Sequence, residues 1–206
     1  MGTKTESGLR GLAPDLPPEV ASFGNRFTRW LGRVGLKLIG WRVTGEFPAE
    51  KKFLIALAPH TSNWDFVTAM LGLLAIGIKL SFLMKKEAFF WPLRDLFIAL
   101  GGIPINRGAA DDTVRQIRDW YNTHEKVCVA ITPEGTRAKV DKWKTGFLRI
   151  ARKAEVPLFI VAWDYPSKSI VLDKCWEFTG DNYIDEAEKI RTYINSRFTG
   201  KHPQNQ

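Results

Sequence analysis

Cysteine is scarce in this 206-residue chain, which carries only Cys128 and Cys175. Two thiols exclude a disulfide-stapled scaffold and make a reducing compartment the simplest inference. Cys128 sits inside the apolar run 127–131 and reads as a small buried hydrophobe. Histidine is nearly as rare. His60, His124 and His202 lie far apart, with no cysteine or histidine at ligand spacing, so no metal site is expected. Long hydrophobic runs are missing too: the longest, 66–78, falls short of the ~18 apolar residues a spanning helix needs. Any encounter with a membrane is therefore expected from one side. No Gly-x-Ser-x-Gly elbow occurs, and there is no internal repeat or low-complexity segment. Residues 1–18 are polar and proline-bearing, so no secretory leader is expected there.

What is present suits one α/β domain with additions. The chain is 45% hydrophobic and 12% aromatic, ample for a packed core. Thirty Lys and Arg stand against 22 Asp and Glu, giving +8, with a pI near 9.6. That balance favours polyanions or anionic lipid surfaces. Residues 1–19 read as disordered. Residues 20–40 read as a basic amphipathic helix, with Phe23, Phe27, Trp30, Leu31, Val34 and Leu38 at three- and four-residue steps and Arg26, Arg29, Arg33 and Lys37 mostly between. Such a helix fits a membrane interface, and equally a helix packed on the domain with a solvated basic face. Further on, buried-strand candidates (53–58, 80–84, 103–107, 127–131, 156–163) alternate with helix candidates (66–80, 111–122, 144–153, 184–198). A first edge strand over 41–45 and a strand over 169–172 beside 156–163 complete the set. The alternation predicts a mixed, mainly parallel sheet covered by helices. The stretch 88–100 is strongly apolar and reads as core or as a surface for lipid or an acyl chain.

The stretch His60-Thr-Ser-Asn-Trp-Asp65 falls where a strand stops and a helix starts, the end of an α/β sheet at which ligands bind. On one continuous helix, residues five apart would point about 140° away from each other. His60 is therefore expected in the loop and Asp65 in the first helical turn. Thr61, Ser62 and Asn63, all good N-cap types, allow the tight turn between them. Asp65 can then reach one ring nitrogen of His60 and leave the other as a general base. This is two-thirds of a serine-hydrolase triad with the serine missing. The same residues also fit a capped loop histidine beside an acid placed there by the helix dipole.

Two further strand ends carry polar groups. Gly102-Ile-Pro-Ile-Asn106-Arg107 closes on a cation. Pro133-Glu134-Gly135-Thr136-Arg137 combines a glycine, a hydroxyl and a guanidinium, a set that can cradle a phosphate. Singly each is an ordinary turn. In order, with Val156-Pro157 after them, these motifs resemble the glycerolipid acyltransferase superfamily, in particular the bacterial lysophospholipid (1-acylglycerol-3-phosphate) acyltransferases. The resemblance spans about half the chain. It implies an αβ acyltransferase domain over residues 41–200, often joined to an N-terminal membrane-associated helical element. It also implies a peripheral protein on the cytoplasmic face of a bacterial cell membrane. In its roles, His60 takes the proton of an acceptor hydroxyl and Asp65 orients His60. Arg107, Glu134, Gly135, Thr136 and Arg137 shape the acceptor site, the arginines on its phosphate. The implied acceptor is a lysophospholipid and the donor an acyl-CoA or acyl carrier protein thioester, with no other cofactor. The acceptor's own hydroxyl replaces the missing serine, so no acyl-enzyme is expected.

Besides an acyltransferase for a non-phosphoglycerol acceptor, two other readings remain open on the residues. One is hydrolysis by the same His/Asp pair, with Ser62 or water as nucleophile. The other is a basic nucleic-acid module, disfavoured because the aromatics lie in apolar runs and no recognised motif is present.

Overall fold

Alternation between two buried cores along two central strands explains why helices cover both faces of the sheet. In β2 (Lys52–Ala58), Leu54, Ala56 and Ala58 join one core, while Phe53 and Ile55 join the other. In β6 (Leu158–Asp164), Leu158, Ile160 and Ala162 face the first core, and Phe159, Val161 and Trp163 the second. Period-two side chains that are apolar on both faces need cover on both.

The computed structural model describes residues 9, 11–85, 87, 89–92, 94–99, 101–105 and 110–206. Among these, β1 (Arg42–Gly45), β2, β3 (Leu80–Lys85), β4 (Gly102–Ile105), β5 (Val127–Ile131), β6 and β7 (Ser169–Trp176) form one sheet in the order β1-β7-β6-β2-β5-β3-β4. Every pairing is parallel except β6 with β7. The mixed, mainly parallel sheet is therefore present, with β1 at its edge. The helices are α1 (Arg26–Ile39), α2 (Trp64–Ile76), α3 (Arg94–Ala99), α4 (Ala110–Thr123), α5 (Gly146–Lys153) and α6 (Tyr183–Asn195). Helices α4, α5 and α6 bury Val114, Ile117, Leu148, Ile150, Ile190 and Ile194 in the first core. Helices α1 and α2 contribute Leu36, Ala75 and Ile76 to the second. Cys128 is 1% exposed, and burial pushes its thiol well above the ordinary range.

The N-terminal region departs from expectation in two respects. Within the stretch read as disordered, Leu9 and Ala13 are buried, and the Leu12 carbonyl accepts from the Val43 N–H at 2.8 Å. The helix starts at Arg26 rather than near residue 20. Gly24 turns the chain at a φ of +75°, and Asn25 closes a capping box with Thr28. Its orientation is specific. Gly32 and Leu36 are buried, whereas Phe27, Trp30 and Leu38 are 65%, 48% and 82% exposed. The small and aliphatic side of α1 packs on α2 and leaves the aromatic side in solvent.

That packing depends on a bare backbone. A Cβ on Gly32 would lie 2.3 Å from the Ala75 nitrogen and 2.7 Å from the Leu74 carbonyl carbon. Gly32→Ala should push the two helices apart and cost about 1–3 kcal/mol in urea unfolding. Gly146→Ala, where a Cβ meets nothing within 4 Å, should stay within about 1 kcal/mol of the parent. Equal midpoints for the two variants would contradict this close approach.

Candidate active site

Strand β2 delivers His60 just past its carboxyl end, and α2 begins four residues later at Trp64. Asp65, in the first turn of α2, is 0% exposed. One carboxylate oxygen, Oδ2, accepts from the main-chain N–H of Thr61 at 2.9 Å and of Ser62 at 2.8 Å. The same oxygen lies 3.0 Å from His60 Nδ1. The other oxygen, Oδ1, accepts from the Tyr165 hydroxyl at 2.6 Å. An ionised carboxylate only accepts, so Nδ1 carries the ring proton and Nε2 keeps its lone pair. The opposite side of the ring agrees, because Arg137 Nε donates to His60 Nε2 at 3.4 Å. The N-cap chemistry takes an unexpected form. Asn63, at the cap, makes no side-chain cap bond, while Ser62 Oγ accepts from the Trp64 N–H at 3.2 Å and Asp65 folds back over the turn.

The imidazole is also held from behind. It stacks on Trp163 with ring centroids 5.4 Å apart. Trp163 Nε1–H donates to Thr68 Oγ1 at 3.0 Å, and that hydroxyl donates to the Asp65 carbonyl at 3.0 Å. The His60 imidazole, the Asp65 carboxylate and the Trp163 indole thus share one frame of hydrogen bonds and ring stacking.

The loop after β5 supplies the second side of the site. Glu134 is 7% exposed, and its Oε1 accepts from the His60 N–H at 2.8 Å. Expected among the groups shaping the acceptor site, Glu134 thus reaches the site through the main chain of His60. Its Oε2 is buried without a partner among the described residues. Burial pushes the carboxyl up to about 7, against the opposing His60 N–H. Gly135 has a φ of +66°, and a Cβ there would meet Lys144 Nζ at 2.8 Å. Thr136 is exposed and accepts from the Ala138 N–H at 3.3 Å, within its own loop. Arg137 is exposed and within reach of the base. The structure thus brings His60, Asp65, Glu134 and Arg137 together. Asn106 and Arg107 lie outside the described residues.

Sequence reasoning missed three contributors. Trp163 arrives on β6 and Tyr165 just past its end, about a hundred residues from Asp65. The only local signal for Tyr165 was its place at the carboxyl end of a buried strand. The C-terminal stretch also closes over the site: the His202 N–H donates to Thr61 Oγ1 at 3.1 Å, and Asn205 Nδ2 donates to the Arg137 carbonyl at 3.1 Å. Beneath Trp163 lies an apolar cavity of about 50 Å³ between α2 and the sheet, lined also by Ile55, Leu73 and Val161. A second cavity of about 250 Å³ shares Leu73, Ile78 and Leu80 with it and extends to Phe23 and Lys79.

Glu134 sets a pH dependence whose sign follows from its environment. Its carboxyl titrates near 7 in the folded chain against an ordinary 4.5, so ionisation is resisted by the folded state alone. Stability is therefore lost as pH rises from about 4.5 through about 7. Glu134→Gln keeps an acceptor for the His60 N–H and removes the titration. Between about pH 5 and about pH 8 the parent should lose roughly 1–3 kcal/mol relative to this variant, read from urea midpoints. A constant difference across that range would contradict the burial assigned to this carboxylate.

Comparison with known proteins places the chain in a family. A family model described as Acyltransferase matches residues 41–163, which include His60, Asp65 and 133–137. None of the curated proteins compared matches the chain. The chain is similar in fold to the crystal structure of the 1-acyl-sn-glycerophosphate (LPA) acyltransferase, PlsC, from Thermotoga maritima. The TM-score is 0.52 and the identity 19%, over 83% of this chain and 75% of that one. The family model covers more than half of the chain, with the His60–Asp65 pair inside it, and the chain belongs to the Acyltransferase family of acyl-transferring enzymes.

Proposed function

We propose that the chain moves a fatty acyl group from a thioester, acyl-CoA or acyl carrier protein, to the hydroxyl of a lysophospholipid-like acceptor such as 1-acylglycerol-3-phosphate. The observation that carries this reading is the paired geometry of His60. Its Nδ1–H is directed at a buried carboxylate, and its Nε2 faces an exposed guanidinium. Ser62 Oγ is taken up by the Trp64 N–H and shows no bond to the imidazole, so it does not complete a serine triad. On this reading the acceptor's own hydroxyl is the nucleophile.

The chemistry then balances with the chain's own groups. Nε2 takes the hydroxyl proton as the acceptor oxygen attacks the thioester carbonyl and a C–O bond forms. Asp65 stabilises the imidazolium. Collapse of the tetrahedral species breaks the C–S bond, and the imidazolium returns the proton to the departing thiolate. Arg137, which covers Nε2 in the substrate-free chain, would leave it for the phosphate of the acceptor and so uncover the base. Arg107 is assigned to the same phosphate by the motif alone. The apolar cavity beneath Trp163 suits the acyl chain, since the indole on which His60 stacks also lines it.

Association with an anionic membrane surface completes the reading. Among the described residues no helix is long and apolar enough to cross a membrane. The exposed Phe27, Trp30, Leu31 and Leu38 of α1 accompany its basic residues, the pattern of an interfacial helix. The orientation suits the cytoplasmic face, where anionic lipid meets a chain of net charge +8.

His60→Ala should fold normally and transfer acyl groups about 10²–10⁴-fold more slowly; near-full activity in this variant refutes the assignment. Arg137→Ala should raise the acceptor KM about tenfold or more and leave the thioester KM within about twofold. Equal effects on both would move the phosphate site elsewhere. Because the α1 aromatics are solvent-facing, replacing Phe27, Trp30 and Leu38 together by serine should preserve folding and weaken sedimentation with anionic vesicles about tenfold or more. Undiminished sedimentation would remove α1 as the anchor.

A further inference from the structure

One contact in the site belongs to no motif in the sequence. Asp65 is wholly buried, and its two oxygens are treated differently. Oδ2 serves the His60 ring and two main-chain amides, whereas the partner of Oδ1 among the described hydrogen bonds is the Tyr165 hydroxyl, at 2.6 Å. That length is typical of a charge-assisted O–H···O⁻ bond, which is stronger than a neutral one. The phenol is fixed before it makes the bond. The Tyr165 N–H donates to the Thr199 carbonyl at 2.9 Å, and the ring meets Trp41 edge-on with centroids 4.8 Å apart.

We propose that Tyr165 is a positioning residue for acyl transfer, its hydroxyl setting both the aim and the effective charge of the Asp65 carboxylate on His60. The proposal rests on the acyltransferase reading above and adds a member to its proton-handling machinery. Half-burial and the bond to Asp65 push the phenol well above its ordinary range, so it remains a donor across any working pH. Drawing charge toward Oδ1 tempers the pull of Oδ2 on Nδ1–H. Without the hydroxyl, negative charge concentrates on Oδ2 and favours the imidazolium more strongly. The carboxylate also loses one of its fixed points.

The charged and titratable groups facing the pair come from four places. Asp65 lies on α2, Tyr165 after β6, Glu134 and Arg137 after β5, and Lys201 and His202 in the C-terminal stretch. Glu134 accepts from the His60 main-chain N–H and feels the charges of both His60 and Asp65, a background shared by parent and variants, and Arg137 touches the opposite ring nitrogen. Lys201 lies over the Trp64 ring, and His202 bonds Thr61 through its main chain. Among the described residues, Tyr165 is the one that acts on Oδ1.

The test uses the full chain and two substitutions of opposite sign. Tyr165→Phe keeps the ring and its Trp41 contact and deletes the donor. Its acid limb in the pH–rate profile should move to higher pH, and kcat on the plateau should fall about tenfold, with both KM values within about twofold. In histidine-labelled protein without substrate, the downfield Nδ1–H proton resonance, identified by its loss in His60→Ala, should shift further downfield. Fluorinated tyrosine at position 165, a stronger donor of nearly the same shape, should move limb and resonance the other way. It also serves if Tyr165→Phe fails to fold. A merely structural tyrosine would lower the yield of folded protein and leave both readouts unmoved. A limb and resonance that coincide with the parent in the folded variants overturn the proposal. If the parent transfers no acyl group, the acyltransferase reading fails, and the resonance alone still decides whether Tyr165 governs the pair.

Discussion

A carboxylate with no access to water is the constraint around which this end of the sheet is arranged. An ion buried without partners costs far more than a domain's net stability. Asp65 therefore needs four donors, and each fixes a different part of the molecule. The amides of Thr61 and Ser62 wrap the loop tightly enough for α2 to start at Trp64. The imidazole is held in one tautomer. The tyrosine ties the loop after β6 to the loop after β2. That last link is possible because β2 and β6 are parallel neighbours, so their carboxyl ends emerge side by side. The topology thus joins an imidazole, a buried carboxylate and a phenol that neither strand could hold alone.

The two faces of the sheet divide the remaining work. On one, α4, α5 and α6 pack a conventional aliphatic core. On the other, α2 lies over an imperfectly filled space that begins beneath Trp163, and α1 lies against α2 through Gly32 with its aromatics outward. The apolar cavity and the exposed aromatic face therefore lie on the same side of the sheet as the Trp163 ring on which His60 stacks. An enzyme that takes both an acyl chain and a lipid alcohol needs that juxtaposition: polar chemistry at the rim, hydrocarbon space behind it and a greasy outer surface.

Much of this was legible in the sequence for a physical reason. Strand 127–131 was bounded correctly because a short run buried on both sheet faces has few other interpretations. His60 and Asp65 were placed in loop and first turn by helical geometry alone. What could not be read was whatever depends on strand order. Tyr165 and Trp163 carry no motif and meet the site only because β6 pairs with β2. Glu134 read as one of the residues shaping the acceptor site, and that its carboxylate turns under the His60 amide is a choice made by packing rather than by the loop's composition. The apolar positions of α1 were seen, but the aromatic side was not assigned to solvent, because periodicity shows that a helix has two faces and not which one a neighbour covers. The helix start was misplaced because the Gly24 turn and the Asn25 capping box outweigh an apolar pattern that continues upstream.

The central claim is that the acceptor's own hydroxyl, deprotonated by His60, receives the acyl group without a covalent enzyme intermediate. It is tested most directly by mixing the protein with a labelled acyl thioester, with and without a lysophospholipid, and weighing both lipids and intact protein by mass spectrometry. The label should appear as diacyl product only when the acceptor is present, with the protein mass unchanged throughout. An acylated protein, or free fatty acid released equally in both mixtures, would contradict the account.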